Sequence, residues 1–204
     1  MDTQQYNNDH PDKYFWEERW KTNDTGWDMR EVSPPLKAYI DSLSNKDIAI
    51  LIPGCGNAYE AAYLMENGFT NVTLIDIAPT LVQQLLKKFE KYAGQELTLI
   101  CGDFFKHQGI YDLILEQTFF CALLPSLRKR YVNHMHSLLS EEGKLVGLLF
   151  NREFEASPPF GGSEEEYRTL FSKYFKIESM NNCSTSISAR LGYELFFEFK
   201  KSGS

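Results

Sequence analysis

Apolar runs alternate with amphipathic segments through the middle of the chain. Residues 48–52 are continuously apolar and residues 72–75 are apolar except for Thr73, which is typical of strands that are buried on both faces of a parallel sheet. Residues 79–91 instead repeat their apolar side chains at helical spacing, with glutamines and lysines on the opposite face. The same criteria predict further strands at 97–101, 111–116, 144–150, 175–180 and 193–199, and further helices at 34–43, 58–67 and 125–139 and from residues 14 and 163 onward.

This order of elements predicts one α/β domain. Strands and helices alternate and a closing pair of strands follows, which indicates a doubly wound, Rossmann-like sheet of seven strands. We expect a mostly parallel sheet with one antiparallel strand and helices on both faces. Residues 1–13 are expected to form a flexible N-terminus, residues 14–200 the domain and residues 46–200 its α/β core.

A glycine turn follows the first predicted strand, and an acidic residue ends the second. Gly54 and Gly56 allow a tight turn and a close approach of a ligand to the backbone. Asp76, at the end of the second strand, is suited to accept two hydrogen bonds from a ribose diol. The unit therefore predicts a site for an adenosine-containing cofactor.

The third position of the turn bears on which cofactor it is. A dinucleotide fingerprint requires glycine at position 59, where this chain has Tyr59. S-adenosylmethionine carries no phosphate and tolerates that loss, so it is favoured over NAD or FAD. A plain strand-to-helix connection without a ligand is the remaining alternative.

The third and fourth predicted strands end at the same edge of the sheet, because ligands of open α/β sheets lie at the carboxyl ends of strands. Asp103 and Phe104 follow the third strand, where a carboxylate can accept from an adenine amine and a ring can cover the base. Alone, Asp103 could equally cap a helix. Its combination with Asp76 favours adenine.

Composition excludes several function classes. The chain has 21 Lys and Arg against 28 Asp and Glu, a net charge of −7, so a nucleic-acid partner is not expected, and the basic trio 128–130 is interpreted as a solvated helix face. No apolar stretch spans a membrane and no export signal begins the chain, which predicts a cytoplasmic protein, expected to be a monomer. The four cysteines are interpreted as reduced core thiols, and His134 and His136 face different directions, so no metal site is predicted.

All three tryptophans lie ahead of the first strand. Trp16 and Trp20 are four residues apart, on one helix face, and Trp27 follows closely. An N-terminal helix that packs its tryptophans against the core would explain the cluster. A lid over a cofactor, residues 14–45, is the alternative, since aromatic faces attract a sulfonium cation by roughly 0.5–2 kcal/mol.

Motifs along nearly the whole chain resemble those of the thiopurine S-methyltransferase family, and within it the thiol and halide methyltransferase branch. They are Trp16-Glu17-x-x-Trp20 with Gly26-Trp27-Asp28, Ile52-Pro53-Gly54-Cys55-Gly56, Leu74-Ile75-Asp76-Ile77, Gly102-Asp103-Phe104-Phe105, Tyr111-Asp112-Leu113-Ile114, Phe119-Phe120-Cys121-Ala122 and Pro158-Pro159-Phe160.

The resemblance implies a class I methyltransferase fold that uses S-adenosylmethionine and releases S-adenosylhomocysteine. It implies cofactor contacts from Trp16, Trp20, Trp27, Gly54, Gly56, Asp76, Asp103, Phe104 and Gln117. We expect the methyl acceptor, a small soft nucleophile, beside Phe119, Phe120, Phe150, Phe160 and Arg190.

Two positions depart from the family pattern. Gln117 stands where an aromatic residue or an arginine is expected, and Phe150 with Asn151 replaces a tyrosine-containing segment. The acceptor therefore stays open among thiols, thiopurines and halides, and Arg190 could equally be a surface residue. The alternatives for the whole chain are a nicotinamide-dependent oxidoreductase and a protein that binds S-adenosylmethionine without catalysis.

Overall fold

The computed structural model of the protein describes residues 11–203. Most of the N-terminus expected to be flexible, residues 1–10, lies outside the described residues. Helix α1 begins at Lys13, one residue earlier than predicted, because the Asp12 carboxylate accepts hydrogen bonds from the backbone N–H groups of Tyr14 and Phe15, both at 2.9 Å. The helices are α1 (Lys13–Thr22), α2 (Pro34–Asp41), α3 (Tyr59–Glu66), α4 (Pro79–Lys88), α5 (Arg128–Leu138) and α6 (Glu164–Phe171).

The strands form one sheet in the order β3-β2-β1-β4-β5-β7-β6. Strands β1 to β5 run parallel to one another, and β7 runs antiparallel to both of its neighbours, β5 and β6, so the seven-stranded sheet with one antiparallel strand is confirmed. The strand order reverses between β1 and β4, and such a reversal opens a crevice at the carboxyl ends of the strands. The strands are β1 (Ile50–Pro53), β2 (Val72–Asp76), β3 (Leu97–Cys101), β4 (Tyr111–Gln117), β5 (Leu139–Phe150), β6 (Phe175–Asn182) and β7 (Glu194–Lys201).

Strand β5 is longer than predicted. The stretch 140–143, which lies between the helix predicted to end at residue 139 and the strand predicted from residue 144, is part of the strand, and Leu139 already pairs with Tyr111 of β4. A register shift between Tyr111 and Leu113 absorbs the extra residues, so a bulge takes the place of the expected connection. The helix predicted at 125–139 is a 3₁₀ turn, Pro125–Leu127, followed by α5.

Helices cover both faces of the sheet, as expected. Ile50 and Ile52 of β1 pack with α2, α3 and α4, whereas Leu51 between them packs with α5 and α6 on the other face. This alternation follows from the two-residue period of a strand. The second face is rich in aromatic rings, including Tyr131 and Phe171.

The cysteines are all free, and three of them are buried: Cys55, Cys121 and Cys183. Cys101 is exposed, because it ends β3, which forms one edge of the sheet. The interpretation of all four as core thiols is therefore wrong for Cys101. Among the described helices, none is long and apolar enough to cross a membrane.

Glu116 is a fully buried carboxyl group next to the end of β4. Its Oε1 accepts hydrogen bonds from the backbone N–H groups of Phe119 and Phe120, at 2.8 and 2.9 Å, and its Oε2 accepts one from the Tyr131 hydroxyl. Burial raises the pKa of Glu116 to about 7, although these hydrogen bonds oppose the rise. The carboxyl group thereby fixes the turn that follows β4.

The raised pKa of Glu116 predicts a pH dependence of stability. A carboxyl group whose folded-state pKa exceeds its ordinary value of 4.5 destabilises the fold as pH rises from 4.5 towards 7. Glu116→Gln keeps an acceptor for both backbone N–H groups and a donor for the Tyr131 oxygen, but it does not ionise. We expect the free energy of unfolding of Glu116→Gln, relative to the native protein, to increase by about 3 kcal/mol over that range.

Urea unfolding at a series of pH values measures this difference, with the exposed Glu165→Gln as the control variant. If the free energy of unfolding changed with pH in the same way in Glu116→Gln and in the native protein, the Glu116 carboxyl group would not titrate as described.

Candidate functional site

A cavity of about 740 Å³ lies at the carboxyl edge of the parallel strands. Its floor is formed by the residues that follow β1, β2, β3 and β4, and β5 contributes its last residue, Phe150. Residues 11–31, which include α1, form one wall, and the segments 152–159 and 189–193 form another. Helix α2, the later part of the expected lid, is packed into the core, with Leu36 and Ile40 fully buried.

The three tryptophans meet over one side of this cavity. Trp27 contacts Trp16 edge-on at a centroid distance of 5.4 Å and Trp20 at 5.8 Å. Trp16 and Trp20 therefore share one face of α1, as their spacing predicts. All three rings border the cavity, and Trp20 is also buried in the core.

The glycine turn requires glycine at positions 54 and 56. Gly54 and Gly56 have φ angles of 57° and 50°, in the left-handed region that favours glycine. A Cβ atom at position 54 would lie 2.3 Å from Cδ2 of Phe119, so no other residue fits without moving that ring. Both glycines border the cavity.

Asp76 is held at the end of β2 with its carboxylate beside the turn. Oδ1 accepts a hydrogen bond from Ala78 N at 3.0 Å, and Oδ2 accepts one from Gly56 N at 3.4 Å. Burial raises the pKa of Asp76 to about 6, and these backbone hydrogen bonds oppose the rise. Each oxygen retains a lone pair for a ligand.

Asp103 and Phe104 border the cavity after β3. Oδ1 of Asp103 accepts from Phe105 N at 2.9 Å, so Asp103 caps a 3₁₀ turn, which was one of the two roles considered for it. Phe104 contacts the ring of Phe119 at 5.0 Å, and its carbonyl oxygen lies 2.7 Å from Nε2 of His134. The Phe104 ring is thus fixed at the edge of the cavity.

Gln117 presents an unpaired amide to the cavity. Both Oε1 and Nε2 are buried and lack a hydrogen-bond partner within residues 11–203. Such a pair costs about 1–3 kcal/mol per group when nothing satisfies it. The next residue, Thr118, has a φ angle of 59°, a conformation that is strained for a β-branched residue. Unpaired polar atoms beside backbone strain indicate a place where a ligand binds.

Phe119, Phe150 and Arg190 also border the cavity. The Arg190 side chain is only 11% exposed, so it is not a surface arginine. Its Nη2 donates to the Trp27 carbonyl at 2.8 Å and its Nη1 to Glu194 at 3.3 Å, with the guanidinium 5.4 Å from the Phe150 ring centroid. This part of the cavity is therefore lined by aromatic rings and by two guanidinium groups, those of Arg152 and Arg190, and Arg190 is paired with the Glu194 carboxylate.

Two of the residues predicted to contact the acceptor do not border the cavity. Phe120 is 1% exposed and packs in the aromatic core against Tyr131 and Tyr167, without bordering the cavity. Its backbone N–H is held by Glu116, and this turns the ring inward. Phe160 also lies off the cavity, where its N–H donates to the Cys121 carbonyl, and the preceding Pro158 and Pro159 border the cavity instead.

Sequence reasoning missed two acidic residues of the cavity wall. Asp28 accepts hydrogen bonds from Asn57 Nδ2 at 2.8 Å and from the Tyr59 hydroxyl at 3.2 Å. Glu60 is buried, accepts from Ser33 N at 3.1 Å, and has its pKa raised by burial. An acidic residue within the predicted apolar helix face was the signal that could have identified Glu60.

Other reactive side chains are not arranged for catalysis. Burial raises the pKa of both Cys55 and Cys121, which border the cavity as neutral thiols. His107 lies away from the cavity, with Nε2 2.8 Å from the Tyr111 hydroxyl. In the described part of the chain, no group of three or more His, Cys, Asp or Glu residues could hold a metal ion.

Comparisons with known proteins agree with this geometry. The family model described as thiopurine S-methyltransferase (TPMT) matches residues 11–194. A protein named "Probable thiol methyltransferase 2" from Arabidopsis thaliana is 30% identical over 92% of this chain and 84% of its own length. The thiopurine S-methyltransferase of Pseudomonas fluorescens (strain SBW25) is 29% identical over 80% of this chain and 84% of its own length.

A solved structure shows the same fold at low identity. The Burkholderia thailandensis 1,6-didemethyltoxoflavin-N1-methyltransferase, with bound 1,6-didemethyltoxoflavin and S-adenosylhomocysteine, superposes with a TM-score of 0.73. It is 16% identical and covers 94% of this chain and 87% of its own. The fold is therefore that of a class I methyltransferase, and the chain belongs to the thiopurine S-methyltransferase family.

Proposed function

We propose that the protein transfers the methyl group of S-adenosylmethionine to a small soft nucleophile, such as a thiol, a thiopurine, a halide or a related anion. One observation carries the proposal: a single cavity brings together the Asp76 carboxylate, the open glycine turn and three tryptophan rings. Membership of the family and the names of the thiol and thiopurine relatives support the same acceptors.

The residues at the β1 and β2 ends fit the adenosine part of this cofactor. Asp76 would accept hydrogen bonds from the ribose hydroxyls, as its free lone pairs allow. Phe104 and Asp103 would border the adenine. Gly56 leaves open space against the backbone, since the nearest heavy atom to a Cβ built there would be 4.0 Å away, whereas the space beside Gly54 is filled by the Phe119 ring.

Gln117 fits the methionine part. An amino acid group carries an ammonium that donates hydrogen bonds and a carboxylate that accepts them, which complements the unpaired Oε1 and Nε2 of one amide. Satisfying both atoms removes the desolvation penalty that they carry in the free protein. S-adenosylmethionine, when bound, supplies a methyl group on a positively charged sulfur.

The tryptophan cluster covers this end of the cavity. Aromatic faces stabilise a nearby cation by about 0.5–2 kcal/mol, and more as water is excluded. Trp16, Trp20 and Trp27 form a continuous surface through their edge-on contacts. They would favour the sulfonium and shield it from hydrolysis.

The acceptor would lie between Phe119 and Phe150, beneath the loop that contains Pro158 and Pro159. These side chains would exclude water, and the guanidinium groups of Arg152 and Arg190 border the same space, the latter paired with Glu194. Phe119 and Phe150 would hold the acceptor with a lone pair towards the methyl carbon, and the cofactor would supply that methyl group with its sulfur as the leaving group. Because a thiolate or halide is already anionic, no general base is needed, and alignment alone can lower the barrier by up to roughly 7–11 kcal/mol.

Calorimetric titration with S-adenosylhomocysteine, with NADH in parallel, tests the cofactor class. We expect micromolar binding of S-adenosylhomocysteine and no binding of NADH. Stronger binding of NADH would favour a nicotinamide-dependent enzyme instead. Binding of S-adenosylhomocysteine without turnover of thiols, thiopurines, iodide or arsenite would leave a non-catalytic binding protein.

The pKa of Asp76, about 6, predicts how cofactor affinity depends on pH. The ionised carboxylate accepts both ribose hydrogen bonds, so affinity should be constant above pH 6 and should fall as the group becomes protonated below it. We expect the dissociation constant of S-adenosylhomocysteine to rise about tenfold between pH 7 and pH 5. Asp76→Asn should bind about tenfold more weakly at pH 7 and show little change over this range. If the affinity of Asp76→Asn for S-adenosylhomocysteine also fell between pH 7 and pH 5, the pH dependence would belong to another group.

Removing the Gln117 amide should weaken only the methionine contact. Gln117→Leu is expected to bind S-adenosylhomocysteine about tenfold more weakly, since two charge-assisted hydrogen bonds are lost, and to bind adenosine unchanged. Asp76→Ala, by contrast, should weaken both ligands. Calorimetry with the two ligands makes the comparison. An unchanged affinity for S-adenosylhomocysteine together with a higher KM for the acceptor would place Gln117 in the acceptor site instead.

A further inference from the structure

Two carboxylates of the N-terminal segment reach across to the core on the two sides of the cofactor end of the cavity. Glu17, on α1, accepts hydrogen bonds from both the backbone N–H of Thr80, at 3.0 Å, and the Thr80 hydroxyl, at 2.6 Å. Asp28, after Trp27, accepts from Asn57 and from the Tyr59 hydroxyl. We call these two sets of contacts the lid clasp.

The clasp connects the lid to the two loops that hold the cofactor in the proposed function. Thr80 is in the first turn of α4, directly after the loop that contains Asp76, and Asn57 and Tyr59 follow the glycine turn at the start of α3. Asp76 itself joins these loops through Gly56 N. The lid is thus fastened to both walls of the cofactor site and not to a remote surface.

Glu17 also supplies the N-terminal capping acceptor that α4 lacks. Ala78 precedes α4 and has no side chain able to cap it, so the first N–H groups of the helix need another acceptor. A carboxylate at a helix N-terminus is favoured by the helix dipole as well. Although partial burial raises the pKa of Glu17, the hydrogen bonds from Thr80 lower it below its ordinary value overall, so the acceptor is charged.

Tyr59 acquires a role from the same geometry. Tyr59 stands where a dinucleotide fingerprint has its third glycine. Its hydroxyl donates a hydrogen bond to Oδ2 of Asp28 at 3.2 Å. A glycine at this position could not make that contact. The side chain that makes the turn unsuited to a pyrophosphate therefore also holds the lid.

We propose that Glu17 and Asp28 are positioning residues that keep the tryptophan lid closed over the cofactor, and that opening of the lid clasp sets the rate at which S-adenosylhomocysteine leaves. The inference rests on the proposed function only for the identity of the ligand. With the clasp closed, three rings lie over the cofactor end of the cavity, so a bound molecule leaves when the lid moves. Neither carboxylate has to touch the reacting atoms.

Stopped-flow dilution of the S-adenosylhomocysteine complex measures this rate, and intrinsic fluorescence reports it directly because the chain's three tryptophans all lie in the lid. Glu17→Ala should raise the dissociation rate about tenfold or more, since hydrogen bonds to a charged group are lost. Glu18→Ala is the matched control: Glu18 is the neighbouring residue of α1, pairs with Lys21 as Glu17 does, and points to solvent. It should leave the rate unchanged.

A double-mutant cycle separates the clasp from general damage to α1. Thr80→Val removes only the hydroxyl donor and should raise the dissociation rate of S-adenosylhomocysteine a few-fold. The double variant Glu17→Ala/Thr80→Val should release the product at the same rate as Glu17→Ala alone. Glu17→Gln, which keeps an acceptor, should release the product more slowly than Glu17→Ala. Tyr59→Phe tests the contact between Tyr59 and Asp28. It should raise the dissociation rate a few-fold while the contacts of Glu17 stay in place.

The outcomes are distinct from a failure of the proposed function. Absence of S-adenosylhomocysteine binding to the native protein would contradict the function itself. Binding with equal dissociation rates in Glu17→Ala, Glu18→Ala and the native protein would overturn the clasp alone. Additive effects of Glu17→Ala and Thr80→Val would also overturn it, because they would show that the two groups act separately. If Glu17→Ala does not fold, the Thr80→Val and Tyr59→Phe rates decide the question.

Discussion

Glu116 is buried without exposure to solvent, and its carboxyl group accepts every hydrogen bond that the turn after β4 offers to it. A buried carboxyl group is costly unless it is satisfied in this way. The cost is offset by the order that it imposes: Gln117 is directed into the cavity, Phe119 is placed against Gly54, and Phe120 is turned into the core. Residues of the cavity wall are thus positioned by a group that does not itself border the cavity.

The architecture could be predicted from the sequence because its signals are local. Continuous apolar runs identify the parallel strands, and helical spacing identifies the helices on the two faces. The ends of these strands then place Gly54, Asp76, Asp103 and Gln117 at one edge of the sheet, since parallel strands share a direction. The predicted residues that lie at strand ends therefore border one cavity.

The parts that were missed depend on long-range contacts. The direction of Phe120 is set by Glu116 and Tyr131, and residue spacing does not reveal that the ring faces the core while Phe119 beside it faces the cavity. The longer β5 depends on a bulge opposite Tyr111. Cys101 is exposed because β3 is an edge strand, and the order of strands in the sheet is a property of the whole chain.

The contact between Gly54 and the ring of Phe119 joins two loops that would otherwise be independent. A ring on the acceptor side occupies the space that a side chain of the cofactor turn would need. Evolution of a new acceptor preference in this protein is therefore not a matter of the acceptor pocket alone. A smaller residue at position 119 would remove only the steric part of the constraint on position 54, because the φ angle of 57° still favours glycine there, so changes at the ring are tolerated by the turn more readily than changes at the glycine.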